Sequence, residues 1–300
     1  MKKNTKPRKK YHSNDIKWGI IMILPVFIGL LIFYIIPFFQ NIFYSFTDLN
    51  SFGKWKFVGV SNYQQIFADE KFASAVKNTL IYTVCTVPLI LIISMFIASL
   101  LNSKIKGIGV YRTLYFLPAV TMPAATAMIW KWLFNGQYGL INQLFLKIGL
   151  QPQAWVADPQ YARMSLIIVG VWMGLGMNII YFLAGMQSIP KQYYEAAKLD
   201  GANSWTTFWK ITLPSLKPTI FFVLVTSVIG AFQVFDIIFL MIPAKSLALD
   251  TTRSIVYIFY QYAIEFGQKG YGAAVATILF IMILIVTILQ IRMQKKWSEN

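Results

Sequence analysis

Two sets of residues in this sequence have types and spacings that could do chemistry. The first lies in 188-SIPKQYYEAAKLDGANSWTTFWKITLPSLKP-218, where Glu195, Ala196, Ala197, Asp200 and Gly201 are followed by Ile211, Leu213 and Pro214. A carboxylate beside a small-residue surface and a glycine turn suits docking of another protein rather than bond making. The second set is Trp172, Gly174, Asn178 and Tyr181, with Gly185, then Thr226, Ser227, Gly230, Gln233 and Asp236. Gly174, Asn178 and Tyr181 fall at i, i+4 and i+7, as do Thr226, Gly230 and Gln233, so each group shares one helix face. Aromatic faces with neutral amides and hydroxyls suit a polyhydroxylated solute in a mostly apolar pocket. The same pattern also fits close packing at the glycines and amide bonds to a neighbouring helix. Asp236 is a candidate intramembrane carboxylate, a residue type usually functional there, although a place near the outer face would let water solvate it. Neither set holds a nucleophile beside a base, so no catalytic residue is assigned. With one Cys (Cys85) and one His (His12), a disulfide framework and a Cys/His metal cluster are excluded. Cys85 reads as a small buried hydrophobe and His12 as part of a solvated tail.

The elements that must position these residues follow from the hydropathy pattern. The chain is 57% hydrophobic and 13% charged over 300 residues, against about a quarter charged for a soluble domain. The apolar residues come in six blocks, near 18–39, 79–101, 112–134, 163–186, 219–242 and 271–292. Each is long enough for a hydrocarbon core of about 30 Å, which takes roughly 20 helical residues. Backbone groups in lipid need internal partners, so the blocks should be helices. The fold class is an all-α polytopic membrane protein with six transmembrane helices. Pro118 and Pro123 predict a bend in the third block. Gly and Ala in blocks four to six predict close helix approach.

Lysine and arginine set the orientation. They gather in the N-terminal tail (Lys2, Lys3, Lys6, Arg8, Lys9, Lys10, Lys17), around Lys104, Lys106 and Arg112, at Lys191, Lys198, Lys210 and Lys217, and at Arg292, Lys295 and Lys296. Six crossings put these segments on one side, so both termini and the 188–218 segment are expected in the cytoplasm. The net charge of +16 then reports membrane orientation rather than nucleic-acid binding. The expected organisation is a basic cytoplasmic tail 1–17, a first helix 18–39, an extracytoplasmic loop 40–78, a five-helix core 79–292 containing the cytoplasmic loop 188–218, and a tail 293–300. The first apolar run is too long for a signal-peptide core and no small-x-small cleavage site follows, so it is expected to be retained. Loop 51–78 should form short interfacial helices anchored by Trp55, Phe57, Tyr63 and Phe67.

Locally, 188–218 reads as two short helices and a turn. Ser188 should cap the first, with Pro190 in its first turn. Lys191 and Glu195 are i,i+4 neighbours. Gly201 should end that helix in a left-handed conformation. Asn203 or Ser204 should cap the second, whose face is Trp205, Phe208, Trp209 and Thr212. Pro214 should end it, and Pro218 should start the next span. This pair is either an amphipathic element lying on the bilayer or a ridge for a partner subunit.

Glu195-Ala196-Ala197, three residues, Gly201, nine residues, Ile211-x-Leu213-Pro214 resembles the complete EAA loop of bacterial ABC importer membrane subunits. Tyr34-x-x-Pro37-Phe38, Ser45-Phe46-Thr47-Asp48, Phe57-Val58-Gly59-Val60-x-Asn62-Tyr63, Asn78-Thr79-Leu80 and Phe116-Leu117-Pro118 resemble the carbohydrate branch, to which the maltose, lactose, raffinose and glycerol-phosphate permeases belong. The likeness covers most of the chain and is to the maltose-F type. It departs at Met241-Ile242-Pro243-Ala244, where the family often has a Gly-Gly-Pro turn, so the outer gate loop is expected to differ. The resemblance implies the type I importer permease fold, a second homologous permease, a cytoplasmic ABC ATPase dimer and an extracytoplasmic sugar-binding protein or lipoprotein. It implies that the EAA helix sits in a cleft of the ATPase and converts its closure into helix movement. The chain lacks a Gly-x-x-x-x-Gly-Lys-[Ser/Thr] loop, so ATP and Mg belong to the partner and no cofactor is expected here. The expected substrate is a neutral oligosaccharide, because no arginine cluster lines the path. An ion-coupled secondary transporter is the alternative, although no internal repeat is visible. A membrane-embedded enzyme would need a clustered His, Ser or carboxylate set, which is missing.

Overall fold

The computed structural model describes residues 13–102 and 107–298, with side chains from 17 to 294. The basic residues at 2–10, His12, Lys104 and Lys106 lie outside the described residues, as do the side chains of Lys295 and Lys296. Among the described residues four helices are long and apolar enough to cross a membrane: Lys17–Tyr44, Glu70–Leu101, Pro159–Gln187 and Lys269–Gln294. Two bent pairs pass the same test, Ile108–Val120 with Pro123–Leu133 and Ser204–Ser215 with Lys217–Phe232. Counted as one crossing each, they give six spans, named first to sixth here in chain order.

The bend expected in the third span is a corner of 103°. Pro118 sits inside the first half, whereas Thr121 and Met122 are extended (ψ 134° and 128°) and Pro123 opens the second half. A residue before proline is pushed out of the helical region, so Met122 rather than Pro118 makes the turn. The fifth block, expected as one helix over 219–242, is broken. Its helix Lys217–Phe232 gives way at Gln233 to a separate short helix, Asp236–Met241. The second span starts at Glu70, nine residues before the expected 79, capped by the Asp69 carboxylate.

Two π-helical segments have a proline cause. Leu31–Ile35 precedes Pro37 and Phe208–Thr212 precedes Pro214. A proline has no N–H and its ring crowds the carbonyl four residues back, here Phe33 and Lys210, so each turn widens around that carbonyl.

The second and fourth spans pack along one another and carry two apolar clusters. One holds Phe134, Leu166, Phe232 and Met241; the other, nearer the 188–218 segment, holds Ile97, Phe182, Met186 and Leu216. The helices approach closely where Gly170 faces Tyr82: a Cβ there would lie 2.0 Å from the Tyr82 hydroxyl oxygen. The first span shows its apolar body to the surroundings and touches the bundle near its C-terminal end. There Phe38 meets Phe280 edge-on at 5.0 Å and the Asn41 Nδ2 donates to the Ala273 carbonyl and Thr277 Oγ1. Between the first span, which runs on to Tyr44, and the second, a short helix, Ser61–Ala68, forms. Trp55, Phe57 and Phe67 are exposed as expected of anchors, but Tyr63 turns inward to share a hydrogen bond with Ser45.

Candidate functional site

The 188–218 segment is built on a backbone reversal. The helix Lys191–Leu199 ends at Asp200, and Gly201 has φ +71°. The Gly201 N–H donates to the Lys198 carbonyl and the Ala202 N–H to the Ala197 carbonyl, at 3.2 and 2.9 Å. This pair of bonds is the Schellman motif, which needs a residue free to adopt left-handed geometry. Asn203 then caps the next helix, its side chain accepting from Thr206 N–H at 2.8 Å. Two expectations for the segment are corrected. Ser188 does not cap the first helix: it closes the fourth span, its hydroxyl donating to the Gly185 carbonyl, and an extended Pro190 (ψ 131°) delays the helix to Lys191. Pro214 does not end the second helix, which absorbs it through the π-helical turn and runs to Ser215 before bending by 66° into the helix Lys217–Phe232.

The two helices enclose a groove of about 770 Å³ whose walls include Ala196, Ala197, Asp200, Gly201, Ile211 and Pro214. Six of the eight sequence-selected coupling residues thus meet on one surface. Glu195 lines a second groove of about 730 Å³ on the side of Lys191, Trp205 and Phe208. Leu213 lines neither groove. The helices are joined by a 3.2 Å hydroxyl pair between Tyr194 and Thr212, and Tyr194 packs against the membrane cluster around Phe182. Sequence reasoning missed Leu199, which is 90% exposed beside the turn. A leucine directly before the helix-ending Asp-Gly was the available cue.

Within the bundle a cavity of about 280 Å³ opens between the second, fourth and fifth spans. Gly174, Asn178, Ser227, Gly230, Gln233 and Asp236 line it, so six of the eight expected path residues come together. Trp172 and Tyr181 do not. The Trp172 ring packs against Trp130 at 5.9 Å and the Tyr181 ring against Phe222 at 5.1 Å, because neighbouring spans present aromatic partners away from the cavity. Thr226 is also off the wall, its hydroxyl turned back to the Phe222 carbonyl. Asn178 donates to the Gly174 carbonyl in its own helix at 2.7 Å, and its amide oxygen accepts no hydrogen bond among the described residues. The Ser227 hydroxyl has no hydrogen-bond partner among the described residues. Among the described residues no lysine or arginine lines the wall.

Tyr82 and Thr86, on the same wall, were missed. The cue was a polar stripe through the second block: Asn78, Thr79, Tyr82, Thr83 and Thr86, all buried. Its start is pinned to the far loop. Asn78 Nδ2 donates to the Asp250 and Arg253 carbonyls, and Arg163 reaches the Asn78 oxygen at 3.1 Å.

Comparison with known proteins agrees with this architecture. Residues 66–298 match the family model for the inner membrane component of binding-protein-dependent transport systems. A probable ABC transporter permease of Bacillus subtilis (strain 168) is 36% identical over 300 residues, covering 99% of this chain and 95% of that protein. The multiple sugar-binding transport system permease of Streptococcus mutans is 37% identical over 284 residues, covering 94% of this chain and 96% of that protein. The arabinooligosaccharides transport system permease of Bacillus subtilis is 33% identical over 271 residues, covering 90% and 86%. A chain of a crystallised bacterial alginate ABC transporter, in complex with an alginate pentasaccharide-bound periplasmic protein, shares the fold with a TM-score of 0.83 at 23% identity, over 96% of this chain and 98% of that one. This chain therefore belongs to the family of inner-membrane components of binding-protein-dependent transport systems.

Proposed function

We propose that this chain is the permease subunit of an ATP-driven importer that carries a neutral oligosaccharide from an external binding protein into the cytoplasm. The observation that carries this reading is the cavity: amide, hydroxyl and carboxylate groups from the spans converge there with no cationic side chain among them. Hydroxyl-rich, uncharged solutes are recognised by such groups, whereas phosphorylated or acidic sugars call for arginine or lysine. Relatives named for multiple sugars and for arabinooligosaccharides support the sugar class.

The 188–218 segment is the coupling element, facing the cytoplasm with both termini. Ala196 and Ala197 permit close docking, Gly201 makes the reversal, Glu195 offers a charge to a basic partner, and Leu199 projects as an apolar anchor. Ile211 and Pro214 line the docking groove, and buried Thr212 and Leu216 hold the second helix to the core. The partners are a second homologous permease, an ABC ATPase dimer that binds ATP and Mg, and an extracytoplasmic sugar-binding protein. Closure of the ATPase would push the paired helices as one unit, since the Tyr194–Thr212 bond and Leu216 tie them to the core.

The test is ATP hydrolysis by the chain reconstituted with its second permease and ATPase, with and without sugar-loaded binding protein. Stimulation by a loaded neutral sugar is expected. A stable assembly that no loaded sugar stimulates would refute the reading in favour of ion-coupled uptake.

A further inference from the structure

The cavity wall contains a short stretch that a regular helix could not present. In an unbroken helix Gln233 and Asp236 would lie about 60° apart, with Phe235 about 100° from Asp236 and about 160° from Gln233, so the three would be spread around nearly half the helix. The break after Phe232 instead brings Gln233, Phe235 and Asp236 onto one wall. The Phe235 ring is backed by three others: Phe239 at 5.2 Å, Tyr260 at 5.1 Å and Tyr257 at 6.1 Å. The helix carrying the two tyrosines, Ile255–Tyr260, is fastened to the same break. Its cap Ser254 donates to the Val234 carbonyl at 2.7 Å and accepts from Tyr257 N–H at 3.1 Å. The ring is thereby held in place before any solute arrives, which lowers the ordering cost of stacking on it. Asp236 is exposed on the wall and forms no ion pair among the described residues.

We infer that Phe235 and Asp236 are the specificity pair of this cavity: Phe235 stacks against a sugar ring, and the Asp236 carboxylate accepts from hydroxyl or ammonium donors. Neutral and amino sugars pass; uronic acids are refused by the unpaired negative charge. This rests on the importer reading above. The role of Asp236 in the first turn of its helix is a separate electrostatic effect that an asparagine there would weaken without changing shape.

The test uses the assembled permease–ATPase complex. Saturation-transfer NMR without binding protein reports contact of protein protons with maltotriose, a glucosamine trimer and a galacturonate trimer; uptake of the imported neutral sugar is measured in proteoliposomes with binding protein. Phe235→Leu should lower both maltotriose transfer and maximal uptake by about tenfold, and Phe235→Trp should restore them to within about threefold. Asp236→Asn should let the galacturonate trimer receive saturation that the parent complex denies it. Normal uptake and transfer in Phe235→Leu, or unchanged exclusion of galacturonate in Asp236→Asn, would overturn the assignment. Should Phe235→Leu fail to assemble, the exposed Asp236 position still decides the matter. If the parent complex moves no sugar at all, the importer reading itself has failed; if it does and the variants match it, this inference alone has.

Discussion

Gly201→Asp is expected to abolish uptake while the chain folds, inserts and accumulates normally. The structure separates the causes. Gly201 has φ +71°, and a Cβ built on it meets nothing within 4 Å. A side chain there therefore clashes with no part of this chain and costs only the left-handed conformation, about 1–2 kcal/mol for a general residue and less for Asn or Asp. At about 1.4 kcal/mol per tenfold, that accounts for about a five- to thirtyfold shift for alanine and less for aspartate. Any larger loss must arise where the groove meets another subunit, and a new carboxylate beside Asp200 would both fill the groove and double its local negative charge. Uptake in proteoliposomes should fall by more than about a hundredfold in Gly201→Asp and less in the uncharged Gly201→Asn. Thermal stability should fall by no more than about 1 kcal/mol in both. Uptake by Gly201→Asp within about fivefold of the parent would refute the idea that this groove is occupied by a partner.

Other perturbations separate docking, path and scaffold. Leu199→Ser should leave stability unchanged, since the side chain is 90% exposed, yet weaken ATPase binding in a pull-down titration by about tenfold or more if the leucine is buried at that interface. Asn178→Leu and Gln233→Leu should each alter uptake kinetics with ATPase docking intact; unchanged kinetics for both would remove them from the path. Asn142→Ala should destabilise the 135–155 region by about 2–3 kcal/mol, because buried Asn142 accepts from Trp155 Nε1 and Gln153 N–H and donates to the Gly136 and Gln153 carbonyls; a thermal melt checks it. Burial, then the hydrogen bond to Asp69, raises the Tyr262 phenol above its ordinary value. The folded state holds this proton more tightly, so the contribution to stability is complete below about pH 10 and is lost as pH rises through the raised value. Asp69→Asn should shift the tyrosinate titration downward.

Local rules carried the parts of this protein whose physics is local. Apolar run length marked the six spans, a glycine after Asp200 marked the reversal at φ +71°, and Asn203 marked its cap. Helical spacing alone put Gly174 with Asn178 and Gly230 with Gln233 on shared faces, and both faces reached the cavity. Neighbouring elements decided the rest. Nothing in the fifth block's hydropathy announces the break after Phe232, because Gln233, Val234 and Phe235 fit a helix as well as a bend. There the Ser254 bond to the Val234 carbonyl and the rings from Tyr257 and Tyr260, some twenty residues away, hold the break open. Trp172 and Tyr181 have the right type and register for a sugar path, yet Trp130 and Phe222 claim them. Composition and periodicity determine which segments become helices and which side of each helix is polar, since those depend on residues a few positions apart. Which polar side meets a cavity, and which meets another helix, depends on packing between spans far apart in the chain, and only the tertiary structure decides that.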